Sequence, residues 1–142
     1  SEHFASLMRD RDEAAIGVSM GTSHDGDRLW KFGENGRARR HLVRTDQASL
    51  GVLARRNVKI ESHPGRYACS TRAIDRLVDL ALGSKGTVGA QLAGAGLGGC
   101  MMVLAGRESK DSIVDLLRRQ PGVPKDGVYV CRPVAGAGLI SV

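Results

Sequence analysis

The stretch "VGAQLAGAGLGGCMMVLAG", residues 88–106, decides how the chain is read. Two apolar runs of strand length flank Gly94, Gly96, Gly98 and Gly99. A tight hairpin needs only two or three residues of special backbone freedom. Four glycines in six positions therefore imply that something approaches this backbone closely. Gly94, Gly96 and Gly99 do satisfy G-x-G-x-x-G, but the dinucleotide fingerprint opens a helix and carries an acidic residue about twenty positions on. Here Gly99 runs straight into the strand-like "CMMVLA", which argues against a dinucleotide fold. Local chemistry leaves two readings: a structural glycine hairpin, or a loop whose N–H groups face a phosphate or a neighbouring loop.

Outward from this hairpin the periodicities are clear on both sides. Upstream, Ser70 is placed to cap a helix over 70–83 whose apolar stripe is Ile74, Leu77, Val78 and Ala81, with Gly83 as its stop. On that helix Arg72 with Asp75 and Arg76 with Asp79 read as exposed pairs three apart. Downstream, "SKDSIVDLLRRQPG" reads as a helix over 109–119 capped by Ser109, and "GVYVCRPV" as a last strand over 127–133. Near the start, "EHFASLMRD" and "DEAAIGVSM" have helical spacing, the latter through Ala14, Ala15, Val18 and Met20, and "DGDRLWKFGEN" has turn chemistry with Leu29 to Phe32 as a hairpin arm. The fold class expected is α+β: an antiparallel sheet of 88–93, 99–105 and 127–133, with both helices packed on one face.

A length of 142 residues suits a single domain, 1–142, with a core of its own. No apolar run suits a membrane span or signal peptide, so a cytoplasmic protein without a membrane partner is expected. Cys69, Cys100 and Cys131 lack the paired spacing of a zinc or redox motif and read as buried thiols. Most of the formal charge of +6 falls between Arg28 and Arg66, through Arg37, Arg39, Arg40, Arg44, Arg55, Arg56 and Lys59. Only Trp30, Phe32 and Tyr67 interleave with these bases, so a solvated excursion is preferred and nucleic acid is not expected as a partner.

Three segments in order, "SMGTSHDGDRL", "YACSTRAIDRLVDLA" and "GAQLAGAGLGGCMMVL", resemble the C-terminal half of galactokinases and related sugar kinases of the GHMP superfamily. The resemblance runs from about Phe4 to the terminal "VCRPVAGAGLISV"; residues 30–63 match least and look like a basic insertion. The chain departs from many galactokinases at Gln91, where arginine is common, and at Leu97, where an aromatic residue is common.

The family implies a two-domain enzyme with ATP, Mg2+ and a monosaccharide between the halves, the C-terminal half being a ferredoxin-like antiparallel sheet with helices packed on one face. By that resemblance Gly94, Ala95, Gly96, Leu97, Gly98 and Gly99 form a cleft-facing loop that supports the nucleotide phosphates or the sugar, and Ser23, His24 and Asp25 lie on the substrate side. The "GLSSSA"-like phosphate loop and the catalytic aspartate belong to the family's N-terminal kinase domain, and nothing like that loop occurs here. No catalytic or metal-binding residue is therefore assigned. The chain alone is expected to be inactive and to hold no cofactor, with the N-terminal domain as partner and a homodimer through the exposed loop surface. A non-catalytic ligand-binding or regulatory module, and a nucleic-acid-binding domain using the insertion, stay open as alternatives.

Overall fold

The computed structural model describes residues 2–97 and 99–132. Helix α1 (Glu2–Asp10) turns at Arg11 into α2 (Glu13–Asp27), whose first turn is capped by Asp12 accepting from the Ala15 N–H at 2.9 Å. A small hairpin follows, β1 (Trp30–Phe32) and β2 (Ala38–Arg40), then α3 (Gln47–Arg55) and a single 3-10 turn at Ile60–Ser62. The remainder is α4 (Arg72–Leu82), β3 (Thr87–Ala93), β4 (Cys100–Ala105), a second 3-10 turn at Arg107–Ser109, and α5 (Lys110–Arg118). Among the described residues the strands form two antiparallel pairs, β1 with β2 and β3 with β4.

The α+β class is as the periodicities imply. Ile74, Val78 and Ala81 of α4 and Ile113 and Leu117 of α5 meet Ala90 and Leu92 of β3 in one buried cluster, so both helices cover the same face of the β3–β4 pair. The alternation of β3 explains the choice of face, since Ala90 and Leu92 are two apart. Helix α2 lies along β3 at unusually close range. Gly17 meets the Val88 carbonyl so closely that a Cβ there would collide with it, and a Cβ on Gly89 would come within 2.9 Å of the Gly17 Cα.

Several expectations need correction. Residues 127–132 are not a strand: Val128 packs on the core, but its carbonyl accepts from Arg118 Nη2 at 3.3 Å, and Tyr129 and Val130 are exposed. Apolar spacing there signalled propensity without a partner edge; residue 133 lies outside the described residues. Thr71 caps α4, accepting from the Ile74 N–H at 3.3 Å, while Ser70 is buried and donates its own N–H to the Asp27 carbonyl. Ser109 precedes α5 without a side-chain cap bond. Helix α2 continues through the stretch read as a turn at Asp25–Asp27, and Val18 points to solvent while Ile16, Met20 and His24 are buried. Cys100 and Cys131 are exposed and Cys69 is half-buried.

Candidate functional site

Among its described residues, the loop between β3 and β4 turns through four in left-handed conformation, Gly94, Gly96, Leu97 and Gly99, with φ of 88°, 85°, 61° and 93°. Glycine accepts this conformation freely, whereas for a leucine it costs about 1 kcal/mol or more. Yet Leu97 is 90% exposed, so core packing does not compensate the strain. The compensation is from beneath. Its N–H donates to the Cys69 carbonyl at 2.8 Å, and Gly96 sits so close to Cys69 that a Cβ would fall 2.5 Å from the sulfur. The base of the loop is thus locked, while Gly94, Ala95, Leu97 and Gly99 are exposed. Gly98 lies outside the described residues.

The lock itself rests on the end of α2. The Cys69 thiol faces Asp27 Oδ1 at 3.7 Å as a weak donor, and the segment carrying it is pinned by Tyr67 and Ala68 N–H groups on the Gly26 carbonyl, each at 2.9 Å. Burial first, then the Asp27 charge, pushes the Cys69 thiol above its ordinary range. Burial likewise raises Asp27. A thiol kept protonated in this way is a donor and a packing surface rather than a nucleophile.

His24 reaches the same strand from the side. Its Nδ1 accepts the Leu92 N–H at 3.3 Å, two residues before Gly94, so the proton of the neutral ring sits on Nε2, which faces Asp75 Oδ1 at 3.4 Å. His24 is 1% exposed, and burial, helped by the Arg28 charge and opposed by Asp75, Asp79 and Asp25, lowers its pKa to about 4. The ring is neutral at pH 7 in the fold. Between about pH 6.5 and 4 the unfolded chain takes up a proton there that the folded chain refuses. His24 thus penalises the folded state progressively as pH falls through that window. Denaturant melts should show a loss of about 2 kcal/mol between pH 7.5 and pH 5 that is missing in His24→Asn, which keeps an acceptor near Nδ1 without a titrating ring. An identical pH dependence in the variant would remove His24 as the cause.

The three residues selected as substrate-side therefore diverge. Ser23 is exposed, His24 is sealed between α2, β3 and α4, and Asp25 is partly exposed and paired with Arg28 Nη1 at 3.2 Å. Of the three, His24 is hydrogen-bonded to the strand that carries the glycine loop. The larger surprise is on α4. Asp75 is fully buried and Asp79 nearly so, not members of a solvated face. Asp75 Oδ2 accepts the Leu29 and Trp30 N–H groups at 3.0 and 2.8 Å, Asp79 Oδ2 accepts the Phe32 N–H at 2.7 Å, and Asp79 Oδ1 pairs with Arg28. The free edge of β1 is thereby stapled to the helix. No local pattern signals this, because the partners are 45 or more positions apart.

Among the described residues no His, Cys, Asp and Glu side chains gather into a group of three able to hold a metal ion. Nor is any described helix long and apolar enough to cross a membrane. Compared with known proteins, residues 38–122 match the family model described as GHMP kinases C terminal, which is more than half of the chain. The match takes in β2, α4, the β3–β4 hairpin with its glycine loop, and α5; Ser23, His24 and Asp25 fall before it. No solved structure matches the chain.

Proposed function

We propose, from the premise that the chain belongs to the GHMP kinase family through its C-terminal domain, that it serves a galactokinase-like sugar kinase and lends the glycine loop to a cleft shared with an N-terminal kinase domain. The observation that carries this reading is the loop itself, locked on Cys69 at its base and strained and exposed at its tip. Strain held at an open surface is characteristic of sites that meet a ligand or a moving loop. The order of the three family-like segments supports the sugar-kinase assignment.

The chemistry follows from what the loop contains. None of Gly94, Ala95, Gly96, Leu97 and Gly99 ionises, so their contribution is shape and backbone N–H groups, which suit phosphate or sugar oxygens. A Cβ at Gly94 or Gly99 would meet nothing within 4 Å, which leaves room for ATP or its binding loop to lie against the backbone. In this reading Mg2+ and the triphosphate's negative charge fall to the N-terminal domain, since the loop residues carry no charge. Phosphoryl transfer depends on positioning and charge neutralisation. The 142-residue chain by itself should accordingly show no ATP-dependent phosphorylation of galactose or another monosaccharide, whereas the same chain joined to a kinase N-terminal domain should. A coupled ADP-release assay on purified material checks both. Turnover by the chain alone, or a joined enzyme unaffected by Leu97→Asp, would overturn the assignment of the loop.

A further inference from the structure

The basic excursion has more structure than its composition suggests. Between Arg28 and Arg66 there are ten Lys or Arg residues against three acidic ones, so the rest of the chain is close to neutral and the net charge is a property of this segment. Its β1–β2 hairpin is held at the root by the α4 carboxylates on the β1 edge, and the hairpin's charges are therefore displayed on a fixed surface.

That staple leaves other groups unneutralised. Asp75 and Asp79 are the carboxylates that would pair with Arg72 and Arg76 along the helix, and both are committed elsewhere. Among the described residues Arg40, Arg72 and Arg76 have no carboxylate within ion-pair distance, and all three are exposed. Two of them are positioned by the single tryptophan: the guanidinium of Arg40 lies 5.1 Å and that of Arg72 4.8 Å from the Trp30 ring centre, with Arg72 also 5.9 Å from Phe32. A guanidinium stacked on a ring keeps its in-plane N–H edge free for an oxyanion. The hairpin register puts Lys31 opposite Arg39, on the other face from Trp30 and Arg40, so the positive charge wraps the hairpin.

We propose that this hairpin and the first turns of α4 form a binding surface for the phosphate backbone of a nucleic acid, with Arg40, Arg72 and Arg76 as principal phosphate ligands. An acidic protein fits less well. Protein interfaces have an apolar centre with charges at the rim, and here guanidiniums occupy the aromatic that would supply the centre. The same occupancy leaves Trp30 unavailable to stack on a base. Recognition is through phosphates and is independent of base sequence. Scarcity of free aromatic residues, which speaks against nucleic acid in the sequence, thus sets the mode of binding; the loss of partners by Arg72 and Arg76 is visible only in three dimensions.

Fluorescence anisotropy of a labelled 25-nucleotide single strand with the chain tests this between 50 and 200 mM NaCl. With three to four phosphate contacts the affinity should fall about 20- to 50-fold over that range and be the same for strands of different composition. Arg40→Gln combined with Arg72→Gln should weaken binding at least tenfold and flatten the salt dependence, while Lys110→Gln on α5 leaves both unchanged. Circular dichroism of the variants checks that these exposed substitutions preserve the fold. The proposal fails if no binding occurs at 50 mM salt, if the double variant binds like the parent, or if polyglutamate competes as well as the oligonucleotide, which would indicate an acidic protein partner.

Discussion

Asp75→Ala is expected to destabilise the chain by about 3–5 kcal/mol, a large share of the roughly 5–15 kcal/mol available to a domain of this size. The carboxylate is fully buried and accepts two backbone N–H groups while facing the Nε2 side of His24. Truncation leaves the Leu29 and Trp30 donors without their acceptor. It also removes the negative charge that faces His24. Asparagine should be intermediate: its oxygen can replace Oδ2, but its amide then sets a donor against the Nε2–H of His24. Urea denaturation followed by the fluorescence of Trp30, the single tryptophan of the chain, reports on the hairpin directly. A loss below about 1 kcal/mol with unchanged emission would mean that the hairpin does not depend on this staple.

Gly96→Ala should be the most damaging small change in the glycine loop. The backbone there has φ of 85°, and the added methyl would lie 2.5–2.7 Å from the Cys69 sulfur, carbonyl oxygen and Cβ. Left-handed geometry costs an L-residue about 1–2 kcal/mol, and the overlap adds a similar amount unless the loop lifts. Gly94→Ala supplies the control, since its φ is 88° but a methyl would meet nothing within 4 Å. The expected losses are about 3 kcal/mol for the first and about 1 kcal/mol for the second. Thiol titration distinguishes lifting from simple strain. Cys100 and Cys131 are exposed and should react quickly, with Cys69 slower, and lifting would bring Cys69 up to the rate of the other two. Equal losses in the two variants would remove Cys69 as the support of the loop.

What the sequence disclosed and concealed separates along a physical line. Helix α4, the β3–β4 hairpin and α5 are local patterns, where apolar spacing and turn chemistry agree with the burial they produce. Likewise the glycine cluster announced a close approach to its backbone, which the packing of Gly96 on Cys69 supplies. The identity of the approaching group was hidden, because Cys69 reaches the loop only through the folding of the chain around α4. The partners of Asp75 and Asp79 are concealed for a related reason: at three-residue spacing from arginines these residues look like surface pairs, and only the return of β1 along the helix gives them other partners. The last strand failed differently, since strand propensity at 127–132 exists without a ladder to join.

The excursion leaves the domain at the end of α2 and comes back to almost the same point, where Tyr67, Ala68 and Ser70 N–H groups bond to the Gly26 and Asp27 carbonyls. Closing a longer loop costs only slightly more than closing a shorter one, because the entropy grows with the logarithm of length. Descendants of this gene could therefore lengthen, shorten or recharge the part of the segment beyond β2, which carries none of the partners of Asp75 and Asp79, with little effect on the register of the β3–β4 hairpin. Selection on what the excursion binds and selection on the geometry of the glycine loop can then proceed at separate addresses in the same chain.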